Sequence, residues 1–201
     1  MDGRGFSAAA DRNKEPIFQV ISPRLKAGDH ILEIASGTGQ HGEYMSERFR
    51  ELQWQPSDVD PQCLESIGAW QKASGRDNFK TPLVLDCLNE ALWDLPRKFN
   101  GIVNCNMIHI SPWACCLGLF RQAKAALTDD GFLFMYGPYL QDDQQTAPSN
   151  LAFDQSLRAR NPEWGIRRLE DVKKAAKAEG FSLHDLVSMP ANNLSLVFLK
   201  D

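Results

Sequence analysis

The sequence has no C-x-x-C pair, and its five cysteines, Cys63, Cys87, Cys105, Cys115 and Cys116, are odd in number and scattered. That excludes a disulfide framework and offers no zinc-ligand spacing, so no metal is expected. Apolar runs are short: none approaches the roughly 18 residues of a membrane span. The opening MDGRGFSAAADRNKEP lacks the apolar core of a signal peptide, so a cytoplasmic protein with no membrane partner is expected. Positive charge is not in excess either. Lys and Arg number 22 against 26 Asp and Glu, a net charge of −4, so no global field gathers nucleic acid. Internal repeats and low-complexity segments are absent.

What remains is ordinary globular composition, 43% hydrophobic and 24% charged over 201 residues, the size of one domain. Short apolar runs alternate with segments of helical period, the order of an α/β protein with a parallel sheet. HILEIA (30–35), WQPSD (54–58), PLVLD (82–86), GIVNCN (101–106) and GFLFMYG (131–137) read as five parallel strands. Helices are expected at roughly Tyr44 to Phe49, from Pro61 to Ser74 with Leu64, Ile67 and Trp70 as a core stripe, from Trp113 to Leu127, and over LEDVKKAAKAEG. FSLHDLVSM and LSLVFLKD, separated by PANN, form a terminal antiparallel hairpin, its turn suited to Asn192 and Asn193. The expectation is a seven-stranded, mostly parallel sheet with helices on both faces.

Gly37-Thr38-Gly39-Gln40-His41-Gly42 matches G-x-G-x-x-G between a strand and a helix, with Asp58 nineteen positions beyond Gly39. Such loops let backbone approach a ligand, and an acid at the end of the next strand can bind both ribose hydroxyls. A nicotinamide cofactor and S-adenosylmethionine both satisfy that geometry. Glu33 separates them. An unpaired carboxylate buried in a strand costs several kcal/mol, so Glu33 needs a partner, and an extra acid repels a pyrophosphate while favouring a sulfonium and ammonium ligand. Glu33, Asp58 and Asp86 close three successive strands at separations of 25 and 28 residues, each holding one helix and one strand.

These residues resemble the class I S-adenosylmethionine-dependent methyltransferases, whose first motif of type E-x-G-x-G-x-G compares with Glu33-Ile34-Ala35-Ser36-Gly37-Thr38-Gly39. Ala35 stands where the family has glycine, which narrows the loop without closing it. The resemblance implies S-adenosyl-L-methionine as cofactor and S-adenosyl-L-homocysteine as product, with Asp58 on the ribose and Asp86 and Cys87 at the adenine edge. It completes the cofactor set with Ser36, Thr38, His41, Asn106 and Met107, and with Arg12 or Asn13 toward the methionine carboxylate. AADRNKEPI, CNMIHISPW, YGPY, FDQSLRARNPEWGIR and MPANNLSLVF further resemble the uncharacterised methyltransferase-like protein 26 family, almost from end to end of the chain.

Methyl transfer is an in-line displacement that asks mainly for positioning. His109, after the fourth strand, is the candidate to take a proton from an acceptor, and Tyr139 the candidate to donate a hydrogen bond to it; shaping the loop and lining the wall are their alternative roles. Arg158, Arg160, Arg167 and Arg168 crowd one stretch with Trp164, and guanidinium forks suit carboxylate or phosphate. From that group Arg160, Trp164 and Arg167 are taken as substrate residues for an anionic acceptor. Residues 1–22 are expected as a lid over the cofactor or a mobile tail, and 138–168 as a substrate-side insertion of the single domain. A small-molecule methyltransferase acting on oxygen, nitrogen or sulfur leads. Nucleic-acid methylation is disfavoured because Asn104-Cys105-Asn106-Met107 replaces an N-P-P-Y-like motif. An NAD-dependent oxidoreductase and a non-catalytic S-adenosylmethionine-binding module stand as alternatives; the oligomeric state stays open.

Overall fold

A serine with a free hydroxyl beside three alanines starts the first helix: Ser7 accepts a hydrogen bond from Ala10 N at 3.3 Å and caps α1 (Ala8–Ile21). The computed structural model describes residues 3–201. After α1 come β1 (His30–Ile34), α2 (Gln40–Arg48), β2 (Gln53–Asp58), α3 (Pro61–Ser74), β3 (Leu83–Val84) and β4 (Phe99–Cys105). The second half holds α4 (Trp113–Ala126), β5 (Leu127–Gly137), β6 (Tyr139–Leu140), α5 (Pro148–Arg160) and β7 (Arg167–Arg168). It ends with α6 (Leu169–Ala178), β8 (Phe181–Met189) and β9 (Asn193–Lys200).

The main sheet runs β3-β2-β1-β4-β5-β9-β8, with β1 to β5 parallel and β9 antiparallel to both β5 and β8. This is the seven-stranded, mostly parallel sheet that the alternation of runs implies. The chain's order along the sheet reverses between β1 and β4, so the loops leaving those two strands part in opposite directions and open a crevice at their carboxyl ends. β6 and β7 form a separate parallel pair.

Parity along the strands divides the core in two. Leu32 and Ile34 of β1 pack with Leu133 and Met135 of β5 beneath α4 and α6. Ile31 packs on the opposite face with Val103, Phe132 and Phe134, beneath α1, α2 and α3. Helices therefore cover both faces, and β1, β4 and β5 read as almost continuous apolar runs for that reason.

Two helices go beyond the sequence expectations. The N-terminal segment, expected as a lid or tail, is a helix built into the second core: Ala10, Asn13, Ile17 and Ile21 are its buried stripe, and Ile17 and Ile21 are fully enclosed. Its signal was weak because the stripe contains a polar residue and Pro16 interrupts the helix, removing the hydrogen bond to the Arg12 carbonyl. α5 lies within the segment expected as an insertion and covers one side of the crevice. α2 begins at Gln40, one residue after Gly39, and β3 is shorter than expected, a two-residue strand rather than five.

Candidate functional site

The loop after β1 is sewn to the end of β2. Ser36 N donates to Ser57 O at 2.9 Å, Ser57 N to Ser36 Oγ at 3.2 Å, and Ser57 Oγ to Glu33 O at 2.7 Å. Gly37 N then donates to Asp58 Oδ2 at 2.9 Å, while Asp58 Oδ1 accepts from Val59 N at 2.8 Å and Asp60 N at 3.0 Å. The Asp58 carboxylate is thus oriented by three backbone donors beside the glycine loop. A Cβ built on Gly37 would meet nothing within 4 Å, so the loop presents bare backbone to open space there. A Cβ on Gly42 would fall 2.7 Å from Phe79 and 2.9 Å from Trp54, which is why the first turn of α2 can lie directly on the sheet. Ala35 takes a left-handed backbone, φ 56°, at the position where the methyltransferase motif carries glycine.

Glu33 has partners within the chain. Its side chain shares the face of Ile31, is 1% exposed, and accepts from Trp54 Nε1 at 3.0 Å. Its Oε1 faces His41 Nδ1 at 3.7 Å, and His41 Nε2 bonds Asn13 Oδ1 at 2.7 Å. Burial pushes the Glu33 carboxyl up to about 7 and the His41 imidazole down to about 4. Glu33, His41 and Asn13, all expected at the cofactor, form one buried chain of hydrogen-bonding groups behind the glycine loop. Asn13's oxygen is held by His41, while Arg12, next to it on α1, is exposed at the cleft.

After β3, Asp86 is exposed, its Oδ1 accepting from Leu88 N at 2.8 Å and its carbonyl from Trp93 Nε1 at 2.9 Å. Cys87 is buried against α4, where a Cβ on Gly118 would fall 1.9 Å from the Cys87 carbonyl oxygen. Burial pushes the Cys87 thiol up, away from any nucleophilic role. β2 and β3 are paired, Asp58 opposite Val84, so the loops carrying Asp58 and Asp86 leave the same end of the sheet.

Beyond the glycine loop lies a cleft of about 900 Å³. Arg12, Asn13 and Pro16 of α1 form one side, and Ser149, Asn150, Phe153 and Arg160 of α5 the other; Asn106, Ile110 and Tyr136 lie between them. Asn106 holds a left-handed backbone, φ 62°, after β4 and donates from N to Tyr136 O at 2.8 Å. The fold therefore gathers Arg12, Asn13, Asn106 and Arg160 from the expected site set. Tyr136, Ile110 and Phe153 were missed, although YGPY and the segment from Phe153 belong to the stretches that resemble the methyltransferase-like protein 26 family.

His109 and Tyr139 sit elsewhere. His109 is 0% exposed, its Nδ1 accepting from Arg167 N at 3.4 Å and its ring edge-on to Tyr139 at 5.1 Å. Burial and the nearby Arg167 push the imidazole down to about 3, so it is uncharged near neutrality; burial pushes the Tyr139 phenol well up. Neither side chain lines the cleft, and both hold the loop between β4 and α4 against β6. Met107, 8% exposed, anchors the same loop through Ser111, whose Oγ donates to the Met107 carbonyl at 2.7 Å. Arg167 is consumed too. Its guanidinium donates to the carbonyls of Ile108, Ser111 and Glu163 at 2.7–2.8 Å, binding the β4–α4 loop to the segment before β7.

The sheet and crevice match solved methyltransferase structures. A putative O-methyltransferase from Nostoc punctiforme superposes with a TM-score of 0.81 at 19% identity, over 95% of this chain and 56% of that one. The mitomycin 7-O-methyltransferase gives 0.80 at 15% identity, over 96% and 56%. Human N-acetylserotonin methyltransferase in complex with S-adenosylmethionine gives 0.77 at 11% identity, over 96% and 52%. The chain spans about half the length of each of these proteins. A family model described as protein of unknown function (DUF938) matches residues 4–200.

Proposed function

From a chain that belongs to the DUF938 family and has the methyltransferase fold, we propose an enzyme that transfers a methyl group from S-adenosylmethionine to a small molecule. The closer likeness to the methyltransferase-like protein 26 family and a cytoplasmic setting are part of this reading. The observation that carries it is the Asp58 carboxylate, aligned by Gly37 N where that glycine faces open space. A carboxylate held there suits two vicinal ribose hydroxyls, and Asp86 stands at the neighbouring strand end for the adenine edge. The fit is chemical as well as spatial: the residues near the crevice supply acceptors for hydroxyls and an amine, and Arg12 supplies a donor for a carboxylate.

When bound, S-adenosylmethionine supplies an electrophilic methyl group on a sulfonium. The chain's own contribution is placement. Ala35, Ser36, Gly37, Thr38 and Gly39 offer backbone at the ligand's closest approach; Asp58 orients the ribose, Arg12 pairs with the carboxylate, and Asn106 lines the passage toward the cleft. Glu33 and His41 hold the loop in shape from behind. No side chain in the cleft has to remove a proton from an acceptor that arrives already deprotonated, as a carboxylate, phenolate or thiolate does.

Isothermal titration of the protein with S-adenosylmethionine, S-adenosylhomocysteine and NAD in parallel tests the reading. Micromolar binding of the first two with no NAD response supports it. NAD binding alone turns the site into that of an oxidoreductase, and silence from all three removes the cofactor.

A further inference from the structure

Four arginines crowd the stretch from 158 to 168, and the structure separates them. Arg158 pairs with Asp154 at 2.8 Å, Arg168 with Asp142 at 2.7 Å, and Arg167 is spent on three carbonyls. Arg160 has none of these ties. Its guanidinium lies 5.3 Å over the Trp164 ring, and among the described residues it makes no hydrogen bond or ion pair. It faces the 900 Å³ cleft from one side as Arg12, equally without an ion pair among the described residues, faces it from the other. No aspartate or glutamate lines that cleft, in a chain whose acids outnumber its bases by 26 to 22.

A guanidinium stacked on an indole keeps its plane fixed while its N–H donors point outward from the edge, the geometry that meets a carboxylate or phosphate with two parallel hydrogen bonds. Stacking also reduces the side-chain entropy lost when an anion docks. The cleft's lining thus carries two guanidinium charges and no acid to neutralise them, in a chain of net charge −4. Next to Arg160 the wall is apolar: Phe153 is 37% and Ile110 43% exposed, more than packing residues of their size need be.

We propose that this side of the cleft is an acceptor subsite for a small molecule that joins an anionic group, carboxylate or phosphate, to a flat apolar body. Arg160, held by Trp164, grips the anion, and Phe153 and Ile110 take the body. Arg12, on the opposite side, is left for the cofactor. Naming the occupant a methyl acceptor rests on the methyltransferase reading, but the anion subsite itself needs no cofactor to be detected.

Titrating the full chain at low ionic strength, with and without saturating S-adenosylhomocysteine, against 3,4-dihydroxybenzoate, phenyl phosphate and catechol separates the two. One of the anions should bind about tenfold or more tightly than catechol, and which one does so identifies the charged group. Arg160→Met should abolish that preference while leaving catechol affinity, S-adenosylhomocysteine affinity and Tm unchanged; Arg160→Lys should restore part of it. Equal affinity for anions and catechol, no binding of any probe, or a preference that survives Arg160→Met overturns the subsite. A preference found in a protein that does not bind S-adenosylhomocysteine upholds the subsite and removes the cofactor reading.

Discussion

Glu33 Oε1 and His41 Nδ1 face each other at 3.7 Å inside the protein. Because the Asn13 amide oxygen accepts from His41 Nε2, the imidazole carries its proton there and turns a lone pair toward Glu33. A protonated carboxyl is the complement of that lone pair, in line with the Glu33 carboxyl pushed up to about 7.

The pair has a signature in stability against pH. Glu33 is raised in the fold, so its contribution is complete below the unfolded value of 4.5 and is lost as pH climbs to about 7; His41 is lowered to about 4 from 6.5, so its contribution grows over nearly the same range. In the native protein the two nearly offset. Glu33→Gln removes the falling limb and keeps an acceptor for Trp54, so the variant's stability should gain on the parent's steadily from pH 4.5 to 7. Urea unfolding at several pH values measures this; a constant difference would refute the raised Glu33 carboxyl.

Asp58→Ala should weaken S-adenosylmethionine binding by about tenfold to a hundredfold, the loss of roughly 1.5–3 kcal/mol for hydrogen bonds to a charged acceptor. Asp58→Asn keeps one acceptor oxygen but turns its amide nitrogen toward one of the backbone donors at Gly37, Val59 and Asp60, so it should recover only part of the loss. Titration calorimetry ranks the three proteins, and an unchanged affinity in the alanine variant would mean the ribose lies elsewhere.

Gly118→Ala drives a methyl group into the Cys87 carbonyl, 1.9 Å away, and neither backbone can yield without the other. We expect about 1–3 kcal/mol of destabilisation from overpacking. Since the loop displaced is the one that carries Asp86, affinity for S-adenosylmethionine should fall together with Tm, whereas a stability loss alone would dissociate that loop from the cofactor.

Arg167→Met uncovers the carbonyls of Ile108, Ser111 and Glu163, which lose their donors together. A stability loss of about 2 kcal/mol or more is expected, against none for Arg160→Met, although both are arginines of one short segment. Thermal unfolding of the two variants side by side decides between clamp and open ligand group.

Ala35→Gly should raise stability. A left-handed alanine costs roughly 1–2 kcal/mol and glycine's extra chain freedom about 0.5–1 kcal/mol, leaving a gain of up to about 1 kcal/mol, or a rise of about 2–4 °C in Tm.

Much of the sheet could be read directly because strands covered on both faces are largely apolar, and HILEI, with Glu33 as its buried exception, and FLFMY leave little alternative. The glycine loop and Asp58 were legible for a related reason: backbone approach and a strand-end acid are properties of local sequence. α1 was not, since its stripe spends one position on Asn13, whose worth depends on His41 28 residues away. Nor could four neighbouring arginines be sorted by type. What distinguishes Arg160 from Arg167 is which carbonyls the β4–α4 loop brings within reach, and that is a property of the tertiary fold. His109 failed as a proton carrier on the same ground: its position after β4 suited chemistry, but its enclosure against Tyr139 and Arg167 did not.

The placement of β9 between β5 and β8 imposes an order on folding. β1, β2, β4 and β5 can pair as soon as they exist, but the free edge of β5 must wait for residues 193–200, and β8 has no neighbour except β9. The last two strands therefore have to form as a hairpin and dock together. Until they do, the row of unpaired amides along Phe132–Gly137 is an open sheet edge, available to any extended chain nearby.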